Sequence, residues 1–321
     1  MAYASAAGYG NLPNGNWSPQ IFSKMAQIAF RKDSVVLDIT NSDYTGEISE
    51  YGDTVKIIKE PNIAVSTYVR GQSVRAQDLD DDELTLIVDK ANKFAFRVND
   101  IEKKQSHINW ETMASDQAAY RMKDQFDTEV LSYMAGYLGT DDGEIDLAGH
   151  KIGASGAPIE IEAGATQNGT TIFTPLGIVN RFERLLAQRN VPDEGRFLVA
   201  DPVFYEKLGD ENSKFVNADY AANGETLNNG KVYVGKIRGF SMYRSNNLPT
   251  AGAGPSASAS GAHGVILAGH SSACATCEQI NQVETMRDTD DFADLTRGLH
   301  LYGRKVLRSE ALVGAYYHSA A

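Results

Sequence analysis

The longest coherent pattern in the chain lies between Trp110 and Leu138. Ala119, Met122, Phe126, Val130, Tyr133 and Tyr137 recur at steps of three and four, which places them on one face of a 3.6-residue period. Asp116, Gln117, Arg121, Lys123, Asp124, Asp127 and Glu129 fall between them and predict a wet opposite face. Glu111 and Asp116 in the early turns suit the positive end of the helix dipole, and Gly139 is placed as the C′ residue. A helix over 110–138 would run roughly 40 Å, well beyond the usual length of about 11–12 residues. With a single apolar stripe it must lie along a sheet or a neighbouring subunit. We call it the spine helix.

Upstream, residues 1–16 are small and polar and predict an arm. Ser18-Pro19 reads as N-cap and N1 of a short helix carrying Ile21, Phe22, Met25, Ile28 and Ala29. From Val35 the pattern turns towards strands. Val55 and Ile57, then Ile63, Val65, Thr67 and Val69, alternate, while Pro61 confines this segment to an edge or an extended ribbon. Gly71-Gln72 breaks it, and an acidic run of Asp78, Asp80, Asp81, Asp82 and Glu83 follows. Leu84, Leu86 and Val88, then Phe94, Phe96 and Val98, keep a period of two. They predict a half-buried strand pair, or one long strand bent near Lys90-Ala91-Asn92.

Downstream, glycines interrupt residues 139–172, where only Ile159–Glu162 is strand-like, so the stretch reads as a connector or surface insertion. Thr174-Pro175 caps a helix bearing Leu176, Ile178, Val179, Phe182, Leu185 and Leu186. Arg196–Ala200 is a short buried strand, Phe204, Tyr205 and Leu208 start a brief helix, and Val232–Gly235 with Phe240–Tyr243 reads as a hairpin. This portion suits a compact α/β domain. Residues 251–264, nearly all Ala, Gly and Ser, predict a flexible loop. Val265–Leu267, Val283–Asp290, Leu295–Arg297, Leu299–Val306 and Ala311–Tyr317 are strands, the last of them candidates to pair with strands preceding the spine helix. The fold class is α+β.

Composition narrows the function classes. The chain has 321 residues, 42% hydrophobic, enough for a real core and for two structural domains. Its formal net charge of −12 argues against wrapping nucleic acid, which needs clustered positive charge. Met1–Ser5 has neither a basic nor an apolar signal region, and no run approaches the ~18 apolar residues of a membrane span, so a cytoplasm is the default compartment.

Chemistry-bearing motifs are sparse. Cys274 and Cys277 have the spacing of a metal knuckle or redox pair, but no paired histidine motif accompanies them, so they read as two small buried or adventitious thiols. The acidic run lacks the central Gly and final Glu of a calcium loop. His107, His150, His263, His270, His300 and His318 are scattered, without an HExxH or GxSxG setting, and Gly230-Lys231 and Gly235-Lys236 lack a phosphate-loop frame. No catalytic residue, metal site or cofactor is expected.

The order of parts is more specific than any motif. Gly52-Asp53-Thr54-Val55 through Tyr68-Val69-Arg70-Gly71-Gln72 forms an ascending ribbon. Leu84–Val88 with Lys93–Glu102 forms its return, the spine helix follows, and Asn190-Val191-Pro192, Gly195–Val199 with Asp201-Pro202, and Gly239–Pro249 mark an α/β portion. This order resembles the major capsid protein of tailed bacteriophages, the coat fold named after phage Hong Kong 97. The resemblance implies an N-terminal arm over 1–50, an extended loop over 51–84, a peripheral domain over 85–172 and 283–321, and an axial domain over 173–282. It further implies hexamers and pentamers tiling an icosahedral shell, a virion protein assembled in the host cytoplasm. Packaged double-stranded DNA would be contacted weakly and without sequence specificity, as the negative charge suits, and no membrane is involved. The extended loop would lie across a neighbouring copy. Pro61, Tyr68, Arg70, Arg75, Asp78, Asp80, Asp81, Asp82 and Glu83 are its candidate subunit contacts, offering both signs of charge. Met1 leads almost directly into the arm, so a separate scaffold protein is expected, with a portal and a decoration protein as further partners. An encapsulin-like compartment shell and a soluble α/β enzyme are the rival readings.

Overall fold

The computed structural model describes residues 31–45, 54–58, parts of 63–77, 83–105, 110–140, 147–162, 172–209, 227–228, 231–232, 236–252, 254–255, 263–289 and 291–319. The expected arm and the helix at Ser18–Ala29 lie outside them. In chain order the elements are α1 (Val36–Ile39), β1 (Thr54–Ile58), β2 (Glu83–Ile87), β3 (Lys90–Asn99), α2 (Asp100–Gln105) and the spine helix α3 (Trp110–Gly136). Next come β4 (Lys151–Ile152), β5 (Ile159–Ile161), β6 (Ile172–Phe173), α4 (Pro175–Gln188), β7 (Arg196–Ala200) and α5 (Pro202–Leu208). The short hairpin β8 (Leu227–Asn228) and β9 (Lys231–Val232) precedes β10 (Lys236–Ile237), β11 (Phe240–Arg244), β12 (Gly264–His270), β13 (Cys274–Arg287), β14 (Ala293–Val306) and β15 (Leu312–His318).

Two sheets carry the architecture. The larger runs β10-β11-β7-β12-β15-β5-β6, with β4 also pairing β15, and the smaller runs β13-β14-β3. They share a joint, because β12 turns into β13 through Ser271–Ala273, and β14 returns as β15 through Ser309–Ala311. Backbone hydrogen bonds from Leu307 N–H and Arg308 N–H to the Ala273 carbonyl (2.8 and 3.3 Å) tie the two crossings together. The final strands therefore divide. β14 pairs β3 from Ala293↔Asn99 to Tyr302↔Lys90, as the pattern predicted, whereas β15 lies between β12 and β5. Leu312–Ala315 is buried throughout, a near-continuous apolar run that suits a strand covered on both faces.

Several local expectations shift. β2 and β3 do not pair with each other; they join different sheets, β2 with β1 and β3 with β14. The break falls at Val88-Asp89, and Asn92 lies inside β3. Val36–Ile39 is a helical turn rather than a strand. Residues 147–162 are no surface insertion: Leu147, His150, Ile152, Ile159 and Ile161 are buried, and β4, β5 and β6 complete the large sheet. β5 matches the strand-like piece read at Ile159–Glu162, whereas β4 and β6, of two residues each, carry too few positions to register as alternation. β11 pairs with Lys236-Ile237. Of the expected hairpin partner Val232–Gly235, Val232 pairs with Leu227 and residues 233–235 lie outside the described residues. The boundary expected at 282/283 falls within β13, one strand continuous from Cys274 to Arg287.

The spine helix forms much as its pattern dictates, over 27 residues. Its buried face is turned relative to the predicted stripe. Phe126, Val130, Leu131, Met134, Ala135 and Leu138 are buried, Tyr133 and Tyr137 are half-buried, and Ala119 is exposed. Leu131, Met134 and Leu138 form a second apolar row beside the predicted one, and periodicity alone could not choose between them. Full burial of side chains this size contributes about 1.5–3 kcal/mol each.

The helix lies on β14. Phe126 meets Tyr302 edge-on at 4.9 Å and His300 at 5.5 Å between ring centroids. The Tyr302 hydroxyl donates to Glu129 at 2.5 Å and accepts from the Asn92 amide at 3.2 Å. Burial pushes the Glu129 carboxyl up, but the hydrogen bonds from Tyr302 and Gln125 outweigh it and hold the group below its ordinary value. Gly314 of β15 admits the last turn: a Cβ there would lie 2.5 Å from Leu138 Cδ1 and 2.7 Å from the Ile266 carbonyl.

Both cysteines are free, and neither can serve the other. They sit three residues apart on one strand, where side chains alternate faces. Cys274 joins the main core, and Cys277 joins a separate cluster with Leu86, Val88 and Ala275. Burial pushes the Cys274 thiol up to about 12 and raises Cys277 as well, so both stay protonated and poor nucleophiles at neutral pH.

Two outcomes test this core. Phe126→Asp should place an unpaired charge in the seam at a cost of several kcal/mol, comparable with the about 5–15 kcal/mol that stabilises a domain. Soluble expression should fail, whereas Phe126→Leu, which loses ring volume and the contacts with His300 and Tyr302, should still fold at a cost of about 1–3 kcal/mol in denaturant unfolding. A thiol-reactive chromophore should label neither cysteine in the native chain and both after unfolding; rapid native labelling would contradict the buried strand.

Candidate assembly surface

β1 and β2 form a two-stranded ribbon in the register Thr54↔Ile87 to Ile58↔Glu83. Its base is anchored. Val55 and Ile57 pack onto the cluster of Leu86, Val88, Ala275 and Cys277, with Leu301 and Leu307 alongside. Gly303 of β14 lets the ribbon cross closely, since a Cβ there would lie 2.5 Å from the Ile87 carbonyl oxygen.

Beyond the base the ribbon loses intramolecular cover. Ile58 is 81% exposed, Val65 95% and Tyr68 69%, and Ile63, Val69 and Ile87 are also exposed. Ile63, Val65, Thr67, Tyr68 and Val69 are not in a strand, contrary to the alternation reading. Tyr68 and Arg70 stand at the tip, where Gly71 takes a left-handed φ of +96°. Glu83 sits at the start of β2 and pairs with Lys56 of the same chain at 2.5 Å, so its charge is engaged within the subunit. Pro61, Arg75, Asp78, Asp80, Asp81 and Asp82 lie outside the described residues. An isolated two-stranded ribbon is marginal in water, and apolar side chains grouped on a surface mark an interaction site.

A second exposed group lies at the far end of the smaller sheet. Phe292 is 78% exposed in the β13–β14 turn, with Ile101 exposed on α2 and Met286 exposed near the end of β13. Ion pairs surround it. Arg287 hydrogen-bonds Asp100, and Asp294 at 3.1 Å; Lys103 reaches Asp294 at 3.1 Å; Arg97 lies 3.5 Å from Asp288 and 3.6 Å from Asp291. The hydrogen bond from Arg287 holds the Asp100 carboxyl below its ordinary value, and those from Lys103 and Arg287 do the same for Asp294. Apolar side chains within a rim of paired charges have the anatomy of an interface. Further along the same sheet, Phe94, Ala95, Gly298, Leu299 and Arg297 line a shallow groove of about 400 Å³.

Sequence reasoning missed Ile58, Phe292 and Leu299. Phe292 had a signal, as a lone aromatic in the acidic turn Asp290-Asp291-Phe292-Ala293-Asp294. Ile58 also had one, since it falls on the exposed side of β1 with Thr54 and Lys56, whereas Leu299 had none, because Leu301 on the same side of β14 packs against the ribbon's base. The predicted wet face of the spine helix also needs correction. Asp127 is fully buried and Asp124 nearly so, while Arg121 and Lys123 are exposed. Among the described residues no three His, Cys, Asp or Glu side chains are grouped as for a metal ion, and no helix is long and apolar enough to cross a membrane.

No protein-family profile and no curated protein matches the chain. Solved structures do. A chain of Mycobacterium phage Che8 superposes with a TM-score of 0.70 at 23% identity, covering 93% of this chain and 97% of its own. The capsid structure of cyanophage P-SCSP1u gives 0.69 at 18% identity, with 95% and 93% covered. The capsid asymmetric unit of cyanophage Pam1 gives 0.67 at 11% identity, with all of both chains covered. The chain therefore has an α+β fold shared with phage capsid chains from end to end.

Proposed function

We propose that this chain is the major capsid protein of a tailed phage, assembling as hexamers and pentamers into an icosahedral head around double-stranded DNA. One observation carries the reading: the fold matches capsid chains over its whole length and leaves a ribbon whose apolar side chains the subunit does not cover. A second copy is the natural cover, with the ribbon lying across its neighbour and Tyr68 and Arg70 at the leading end. Pro61, Arg75 and the acidic residues Asp78, Asp80, Asp81 and Asp82 are assigned to the same contact, and Glu83 braces the ribbon through Lys56. The expected domain division, with an extended loop, a peripheral domain and an axial domain, belongs to this proposal. So do a separate scaffold protein, a portal, a decoration protein and assembly in the host cytoplasm. The net charge of −12 suits an inner surface that repels packaged DNA rather than holding it.

Negative-stain microscopy of the purified chain should reveal shells or capsomer-sized assemblies; a clean monomer with catalytic turnover would sink the proposal. Deleting residues 61–79 should leave a folded subunit, with unchanged circular dichroism, that no longer forms shells. Normal shells from that deletion would remove the ribbon from the mechanism. A gentler variant, Val65→Asp, should change subunit stability by no more than about 0.5 kcal/mol, because the side chain is exposed within the subunit, yet reduce shell yield in light scattering.

A further inference from the structure

Buried Asp127 lies in the middle of the spine helix, where a carboxylate has no local reason to be. It is fully buried, and among the described residues no cation lies within salt-bridge distance of it. Its oxygens instead accept hydrogen bonds from the Ser34 hydroxyl at 2.7 Å, the Val35 N–H at 3.0 Å and the Val36 N–H at 3.2 Å. The spine helix thus caps the first turn of a distant segment, a role normally filled by a neighbour in sequence. Charge-assisted bonds of this kind are about twice as strong as neutral ones.

The same segment is fastened at four further places. Arg31 lies over the Tyr120 ring, 5.4 Å from its centroid, and the Lys32 N–H donates to the Tyr120 hydroxyl at 2.9 Å. The Lys32 ammonium donates to Asn247 Oδ1 at 2.8 Å and stands 3.6 Å from Asp124, joining the loop after β11 to the spine helix. Thr40 Oγ1 donates to the Val36 carbonyl and accepts from the Thr276 hydroxyl, both at 2.9 Å. Asn41 then pairs with β13 through its N–H to the Cys274 carbonyl and the Thr276 N–H to its own carbonyl, both 2.9 Å. Residues 31–41 therefore touch the spine helix, the edge of the larger sheet's α/β portion and the first residues of β13, which adjoin the joint between the sheets.

We infer that residues 31–41 are a strap bracing the joint between the two sheets, with Asp127 as its anchor. Lifting the strap from Asp127 frees the Thr40–Thr276 and Asn41–β13 contacts together, so the spine helix and the joint are mechanically linked through it. The inference concerns the subunit itself and stands apart from the assembly proposal.

Hydrogen exchange read by mass spectrometry on the full chain tests it. Asp127→Asn removes the charge and replaces one accepting oxygen with an NH2 donor that faces donors. It should speed exchange at Val35, Val36, Asn41 and Thr276 by about tenfold or more, while β7 keeps its protection. Acceleration confined to Val35 and Val36 would reduce Asp127 to a local cap and overturn the strap. If Asp127→Asn does not fold, Thr40→Val takes its place, since it keeps the shape and removes the hydroxyl pair. Faster exchange at Asn41 and Thr276 is expected there, and wild-type rates would overturn the inference.

Discussion

Tyr302 places its ring edge-on to Phe126 and its hydroxyl on Glu129, so one residue of β14 fixes both the apolar and the polar side of the spine helix. Nearly every other element takes its position from that seam. β14 holds β3 on one edge and β13 on the other, and its return as β15 carries the geometry into the larger sheet. Leu138, two residues past the helix, reaches β15 at Gly314. Helices in folded proteins draw most of their stability from packing rather than from propensity. This one of 27 residues is held by a seam that joins ring contacts to part-buried hydrogen bonds.

The ribbon obeys the opposite logic. Its base is buried against Ala275 and Cys277, but Ile58, Ile63, Val65 and Tyr68 face solvent in the single subunit. Exposed apolar area of this kind is recovered only on association, at about 25 cal/mol per Å² removed from water, less the cost of ordering the partners. The fold thus separates two stores of free energy: one spent within the subunit at the helix–sheet seam, the other left for contact between molecules.

What the sequence made legible follows from the length over which each pattern runs. The spine helix, α4 with its Thr174 cap bonded to the Gly177 N–H, and β7 were readable because each repeats a signal over several turns or a fully apolar strand. β4 and β6 were not, being two residues long, and of the three short strands only β5 showed, as the strand-like piece at Ile159–Glu162. Asp127 was misread because helical periodicity treats every carboxylate as wet. Its burial depends on Ser34, Val35 and Val36, some ninety residues away. The ribbon was legible as an object, through Pro61 and Gly71, but the exposure of Phe292 and Leu299 depends on the pairing of β13, β14 and β3, which no local window contains.

The first four residues of β13 bring these features together. Side chains alternate along a strand, so Cys274 and Thr276 face one way, towards the main core and the strap, while Ala275 and Cys277 face the ribbon's base. The strap and the ribbon therefore lean on opposite sides of the same short stretch, next to the joint between the sheets. A shift of β13 that suits one contact must be felt by the other, because close-packed interiors transmit displacement rather than absorb it. The small, buried character of Cys274-Ala275-Thr276-Cys277 then has a physical reason that needs neither metal nor redox chemistry. Only compact side chains let a helical turn, a ribbon and a sheet converge on four residues of one strand.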